Sequence, residues 1–152
     1  MKLLINSLLL TGLLCSCGTA RKAAVVREPD TQAAAASSIQ LLSGTWVLTY
    51  IQGTDKEFDQ LYKGKKPSVN FDITEQKISG NTSCNSFSGS FKASGKNSLD
   101  LKGPMMMTKM FCEGGGEEAF MAALRKVTSY AGDGTTLDLI AGDIGILQFR
   151  RK

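Results

Sequence analysis

The most reactive side chains here are sulfur-bearing: Cys84, Cys112, and a methionine cluster at Met105, Met106, Met107 and Met110. A nucleophilic cysteine works as its thiolate, usually formed beside a histidine. None of the 152 residues is histidine. That excludes Ser-His-Asp and Cys-His catalysis and histidine-based metal sites together. Thioethers are soft ligands that suit copper(I), so the methionines are weighed as a metal site. Met105 and Met107 would share one face of a strand, and methionine commonly fills irregular core gaps, so packing beneath a helix is the expectation. Cys112 would add a soft ligand only if reduced. Glu113, Glu117 and Glu118 have the chemistry of general acids and bases, but a place at a helix start accounts for them through the helix dipole. No catalytic residue, no metal and no cofactor is expected.

Charge narrows the partners. Lys plus Arg number 18 against 14 for Asp plus Glu, a formal +4, scattered along the chain rather than gathered into a phosphate-tracking stripe, so nucleic acid is not expected. Lys63, Lys65 and Lys66 precede Pro67 and read as a solvated loop, although anionic headgroups would gain about 1 kcal/mol per contact. Arg150, Arg151 and Lys152 read as a charged end that keeps an edge strand from pairing.

The first residues resemble an export address. Met1 and Lys2 give a positive start, and residues 3–14 form an apolar run of about 18 Å as a helix, too short for a hydrocarbon core of about 30 Å. Leu14-Cys15-Ser16-Cys17-Gly18 is similar to a bacterial lipobox, with small Ser16 before Cys17; Leu14 makes Cys15 the poorer acceptor. Residues 1–16 are then a lipoprotein signal peptide, with Cys17 the lipidation site. Residues 17–38 are a lipidated flexible tether, alanine-rich and without apolar periodicity. Gly18 in place of Asp, and no acidic run after the cysteine, resemble outer-membrane lipoproteins facing the periplasm.

Residues 39–152 alternate at period two. Trp46, Leu48 and Tyr50 lie on one face of a strand, and Val69, Phe71 and Ile73 alternate with polar neighbours. Further strands are expected over 77–81, 86–93, 98–102, 135–140 and 144–150, with turns at 93–97 and 132–134. One helix over 117–127 carries Phe120, Leu124 and Val127 at helical spacing, Glu117 and Glu118 at its positive end, and Arg125 and Lys126 at its negative end. The fold class is α+β: a mainly antiparallel, small barrel-like sheet with one packed helix.

Two segments resemble a known family. Ile78-Ser79-Gly80-Asn81-Thr82-Ser83-Cys84-Asn85-Ser86-Phe87-Ser88-Gly89 and Met107-Thr108-Lys109-Met110-Phe111-Cys112 are similar to the two signatures of the META/HslJ domain family, over about residues 40–152. Gly80, Cys84, Asn85, Phe87, Gly89, Thr108, Met110 and Cys112 match the motifs. Ser83 stands where many members have glycine, and Phe91 where many have tyrosine. The resemblance implies a compact antiparallel domain with a helix across it, common in envelope lipoproteins, linked in some members to stress response, and without an agreed reaction. With Cys17 committed to lipid, an oxidising compartment leaves the pair Cys84 and Cys112. A disulfide is the simplest reading, with a redox dithiol, two buried free thiols or a nucleophile as alternatives.

Two functions fit these features. One is a lipid-anchored, monomeric, non-catalytic module contacting an envelope protein or component. The other is a carrier of a small apolar ligand, which needs a hollow interior of several hundred Å³, whereas a module can be filled by Phe71, Phe87, Phe91, Phe120 and the methionines.

Overall fold

The structure, a computed structural model, describes residues 38–152. The leader, Cys17 and nearly all of the expected tether lie outside the described residues. Ten strands follow in order: β1 (Gly44–Ile51), β2 (Ser68–Asp72), β3 (Lys77–Asn81), β4 (Ser86–Ser90), β5 (Lys92–Ser94), β6 (Ser98–Asp100), β7 (Met105–Met107), β8 (Ser129–Gly132), β9 (Thr136–Ala141) and β10 (Ile144–Arg151). A short helix α1 (Phe58–Leu61) follows β1, and α2 (Gly116–Lys126) follows β7.

All strands join one antiparallel sheet in the order β5-β6-β8-β9-β10-β1-β2-β3-β4-β7. Only Phe91 separates β4 from β5, yet the two stand near opposite ends of that order. One residue spans under 4 Å, so the sheet must curl until its two ends approach. The result is a half-barrel around a single core.

Alternation builds that core. Val69 and Phe71 of β2 are buried between half-exposed Ser68 and Asn70, and Ile78, Phe87, Leu137, Leu139, Leu147 and Phe149 repeat the pattern on neighbouring strands. Each such side chain contributes about 1.5–3 kcal/mol when fully withdrawn from water. Across this face lies α2, with Phe120 and Leu124 fully buried. Phe120 meets Phe87 and Phe149 edge-on at 6.1 and 6.4 Å, tying the helix to β4 and β10. Its start is fixed by Tyr62, whose hydroxyl donates to the Gly116 carbonyl at 2.9 Å and whose pKa burial pushes up to about 12. A Cβ on Gly116 would stand 2.8 Å from the Tyr62 ring, so only glycine fits.

Several expectations are corrected. Tyr50 does not share the inner face with Trp46 and Leu48: it is 48% exposed, while Ile51 is buried. Leu48 pairs with Phe149 and Tyr50 with Gln148, so Thr49 is an extra residue, and this bulge moves the inward position along by one. The expected strand over 86–93 breaks at Phe91 into β4 and β5, and strands β7 and β8, with α1, go beyond the expected set. The methionines do not pack beneath the helix. Met105 is partly buried, but Met106, Met107 and Met110 are exposed, because β7 is an edge strand and Phe87, Phe120 and Phe149 already occupy the space under α2. Arg150 and Arg151 guard no edge, since β10 is paired on both sides. Arg151 instead lays its guanidinium over the Trp46 ring at 4.2 Å and donates to the Ser43 carbonyl at 2.8 Å.

The turn from β8 to β9 gives a pH prediction. The Asp133 carboxylate accepts from the Thr136 amide at 2.7 Å and from the Thr135 amide and hydroxyl at 2.8 Å, which lowers its pKa from 3.8 to about 2. A depressed carboxylate pKa gives stability that is complete above the unfolded value and lost as pH falls through the folded one. Urea midpoints of the unaltered chain should therefore fall between about pH 4 and pH 2 more steeply than those of Asp133→Asn. Parallel curves would show that the turn does not discriminate the ionised form.

Candidate functional site

The turn from β3 to β4 is built around Thr82 and Asn85. The Thr82 amide donates to the Asn85 carbonyl at 2.8 Å, and the Asn85 amide donates to the Thr82 hydroxyl at 2.9 Å. This reciprocal clasp forces a left-handed residue between them: Ser83 has φ 86°, with its amide held by the Asn81 side chain at 2.9 Å. Left-handed backbone favours glycine, and Ser83 adopts it without glycine's freedom.

Asn85, only 1% exposed, uses its whole amide. Its Oδ1 accepts from the Thr108 hydroxyl and from the Met110 backbone amide, both at 2.8 Å. Its Nδ2 donates to the Met110 carbonyl at 3.0 Å and to Glu117 Oε1 at 3.2 Å, with Cys112 Sγ 3.0 Å away. Thr108 in turn accepts from the Ser86 amide at 3.1 Å. The other Glu117 oxygen accepts from the Thr82 hydroxyl, which is itself fully buried. Cys84 and Cys112 stand at disulfide geometry beside this network, with α-carbons 6.0 Å apart. One asparagine thus joins the β3–β4 turn, the loop after β7 and the first turn of α2.

The remaining motif positions have separate duties. A Cβ on Gly80 would lie 2.0 Å from the Ser68 carbonyl oxygen, so β3 could not approach β2 with any other residue there. On Gly89 it would meet the Met105 side chain at 2.9 Å and the Pro104 carbonyl at 3.0 Å. Phe87 is core. Met110 lends only its backbone to Asn85, and its side chain is 62% exposed beside Phe111 at 89%. The framework therefore fixes the Met110 backbone while the Met110 and Phe111 side chains stand in solvent.

The chemistry available is limited. Glu117 is committed to Thr82 and Asn85, so its place is more than the helix start expected of it, and the Cys112 sulfur beside it is taken up in the bond to Cys84. Among the described residues no group of three or more His, Cys, Asp or Glu could hold a metal ion. Lys66 sits over the Phe58 ring at 5.1 Å, while Lys63 and Lys65 are exposed. Thr82 and Phe111 stand in the sequence only as members of the two motif segments, and Arg151 only as an edge charge. The threonine three positions before Asn85 was a legible turn signal, whereas nothing local marked the other two.

Loss of the cross-link gives a second prediction. With a sequence separation of 28, chain entropy assigns the bond about 3–4 kcal/mol. A Cys84→Ser, Cys112→Ser chain should lose about that much in chemical denaturation yet remain folded, because the strands and α2 still bury their apolar faces. Two thiols labelled in the native, unreduced protein would show that the bond does not form.

A family model described as META domain matches residues 39–152. A solution structure of a protein from Burkholderia xenovorans is similar at 25% identity and TM-score 0.58, over 76% of this chain and 87% of that one. A crystal structure of a DUF4847 family protein from Bacteroides vulgatus shares the fold at 17% identity and TM-score 0.54, over 76% of this chain and 97% of that one. No curated protein matches this chain.

Proposed function

Since the chain belongs to the META domain family over residues 39–152, we propose that it is a non-catalytic interaction module held on a bacterial envelope by lipid at Cys17, with a stress-linked role as in some members. One observation supports this most: Met110 and Phe111, 62% and 89% exposed, project from a loop whose backbone Asn85 grips at both polar atoms of Met110. An exposed phenylalanine costs solubility, and fixing the backbone of its neighbour Met110 removes part of the entropy that a contact would otherwise cost. The carrier reading draws no comparable support, because Trp46, Phe71, Phe91, Phe120 and Phe149 occupy the interior at 0–2% exposure.

The test places a photo-crosslinking side chain at Phe111 in cells and, as a control, at Lys96 in the β5–β6 turn. Discrete adducts from position 111 alone support the module. Equal, diffuse labelling at both positions sinks it. Intact mass of the membrane-extracted protein decides the anchor: an unmodified cysteine, or a Cys17→Ala chain that fractionates as before, counts against it.

A further inference from the structure

The face of the sheet turned away from α2 carries a groove of about 440 Å³, within the range of small-molecule sites. Its floor is one row across four adjacent strands, in which Asn70 pairs with Ser79, Ser79 with Ser88, and Ser88 with Met106. Strands are about 4.8 Å apart, so the row presents an amide, two hydroxyls and a thioether at intervals near the span of one sugar ring. The Thr45 hydroxyl donates to Asn70 Oδ1 at 3.1 Å, which orients the amide that lines the groove. The Ser79 and Ser88 hydroxyls make no hydrogen bond to the described residues.

Two features separate this face from an ordinary solvated one. Exposed strand positions favour threonine, valine and aromatics, yet Ser79, Ser86, Ser88 and Ser90 all stand on neighbouring strands here, at the expense of strand propensity. Two charged side chains line one end of the groove, Asp72 and Lys77, and each already has a partner on its own turn. Asp72 accepts from the Thr74 and Glu75 amides at 3.0 Å, and Lys77 pairs with Glu75. The rest of the lining is a row of hydroxyls set in a largely apolar surface that ends at Met106, 76% exposed. A charged ligand would lose its hydration without finding a free counter-charge, and an apolar one would cover unpaired hydroxyls. We infer that this groove binds a short neutral saccharide, with Asn70, Ser79 and Ser88 hydrogen-bonding its hydroxyls and Met106 covering a ring face.

The experiment titrates the isotope-labelled full chain with three neutral disaccharides, N,N′-diacetylchitobiose, cellobiose and maltose, and with a uronate disaccharide. For at least one neutral sugar, shifts should centre on the amides of Asn70, Ser79 and Ser88 and the Met106 methyl, saturating near about 1 mM. Ser79→Val with Ser88→Val removes the hydroxyls while favouring the strand, so it should fold and bind at least about tenfold more weakly. No shifts with any neutral sugar, unchanged affinity in the double variant, shifts centred on Phe111, or tighter uronate binding would each overturn the assignment.

Discussion

Replacing Asn85 by alanine is expected to lower the unfolding free energy by about 3–5 kcal/mol, more than a single side-chain hydrogen bond is worth. The truncation strands at least two partners. The Met110 amide loses its acceptor, and Glu117 Oε1 loses a donor, in a place that only 1% exposure of Asn85 leaves to water. Each orphaned buried group costs about 1–3 kcal/mol, and the vacated volume adds to that. Thr108→Val, which removes a donor to Asn85 Oδ1 and an acceptor for the exposed Ser86 amide, should cost nearer 1 kcal/mol. Asn85→Asp should be as harmful as alanine, because it turns a donor facing Glu117 into a second carboxylate. Urea denaturation measures all three. A loss below about 1 kcal/mol for alanine would mean that water replaces the amide. Hydrogen exchange should in addition accelerate at 110–112, since the loop then has no clasp.

Trp46→Ala should cost about 3–5 kcal/mol by cavity formation. Trp46 is fully buried, its indole nitrogen donates to the Leu42 carbonyl at 2.8 Å, and Arg151 roofs its ring. It lies in β1, paired on one side with Val69 and on the other with Arg151, so the cavity opens where two halves of the sheet meet. Circular dichroism must follow the unfolding, because this is the sole tryptophan. Arg151→Ala, which removes the roof together with exposed hydrogen bonds to the Ser43 and Gly134 carbonyls, should cost about 1 kcal/mol and shift the fluorescence to longer wavelength. A change below about 1 kcal/mol for Trp46→Ala would show that the ring is dispensable and reopen it as a ligand platform.

What the sequence revealed and what it hid divide along the range of the interactions. Val69 and Phe71 were legible because one buried face and one wet face impose alternation within five residues. Phe120 and Leu124 were legible for the matching helical reason. The bulge at Thr49 was not, because an extra residue is defined only against Phe149 and Gln148, far along the chain. Met105, Met106 and Met107 show no alternation, so their strand and its position at an edge had no local signature. Asn85, Thr108 and Cys112 stood out by family resemblance, but their convergence on one cluster did not. Glu117 was hidden by a sufficient local explanation: a carboxylate at a helix start satisfies the dipole whether or not it also holds Thr82 and Asn85.

The place of β10 bears on how the chain comes to be folded. It is the last strand made, yet it joins the group β5-β6-β8-β9 to the group β1-β2-β3-β4-β7. Until its eight residues arrive, each group ends in an unpaired strand, and Trp46 lacks both a strand neighbour and its cover. Pairings between the beginning and end of a domain are slow to form, because loop closure must precede any gain. Completion of this sheet is accordingly a late event among the described strands, waiting on β10. Until β10 is available the two groups stay separate, and neither can close over the Trp46 ring.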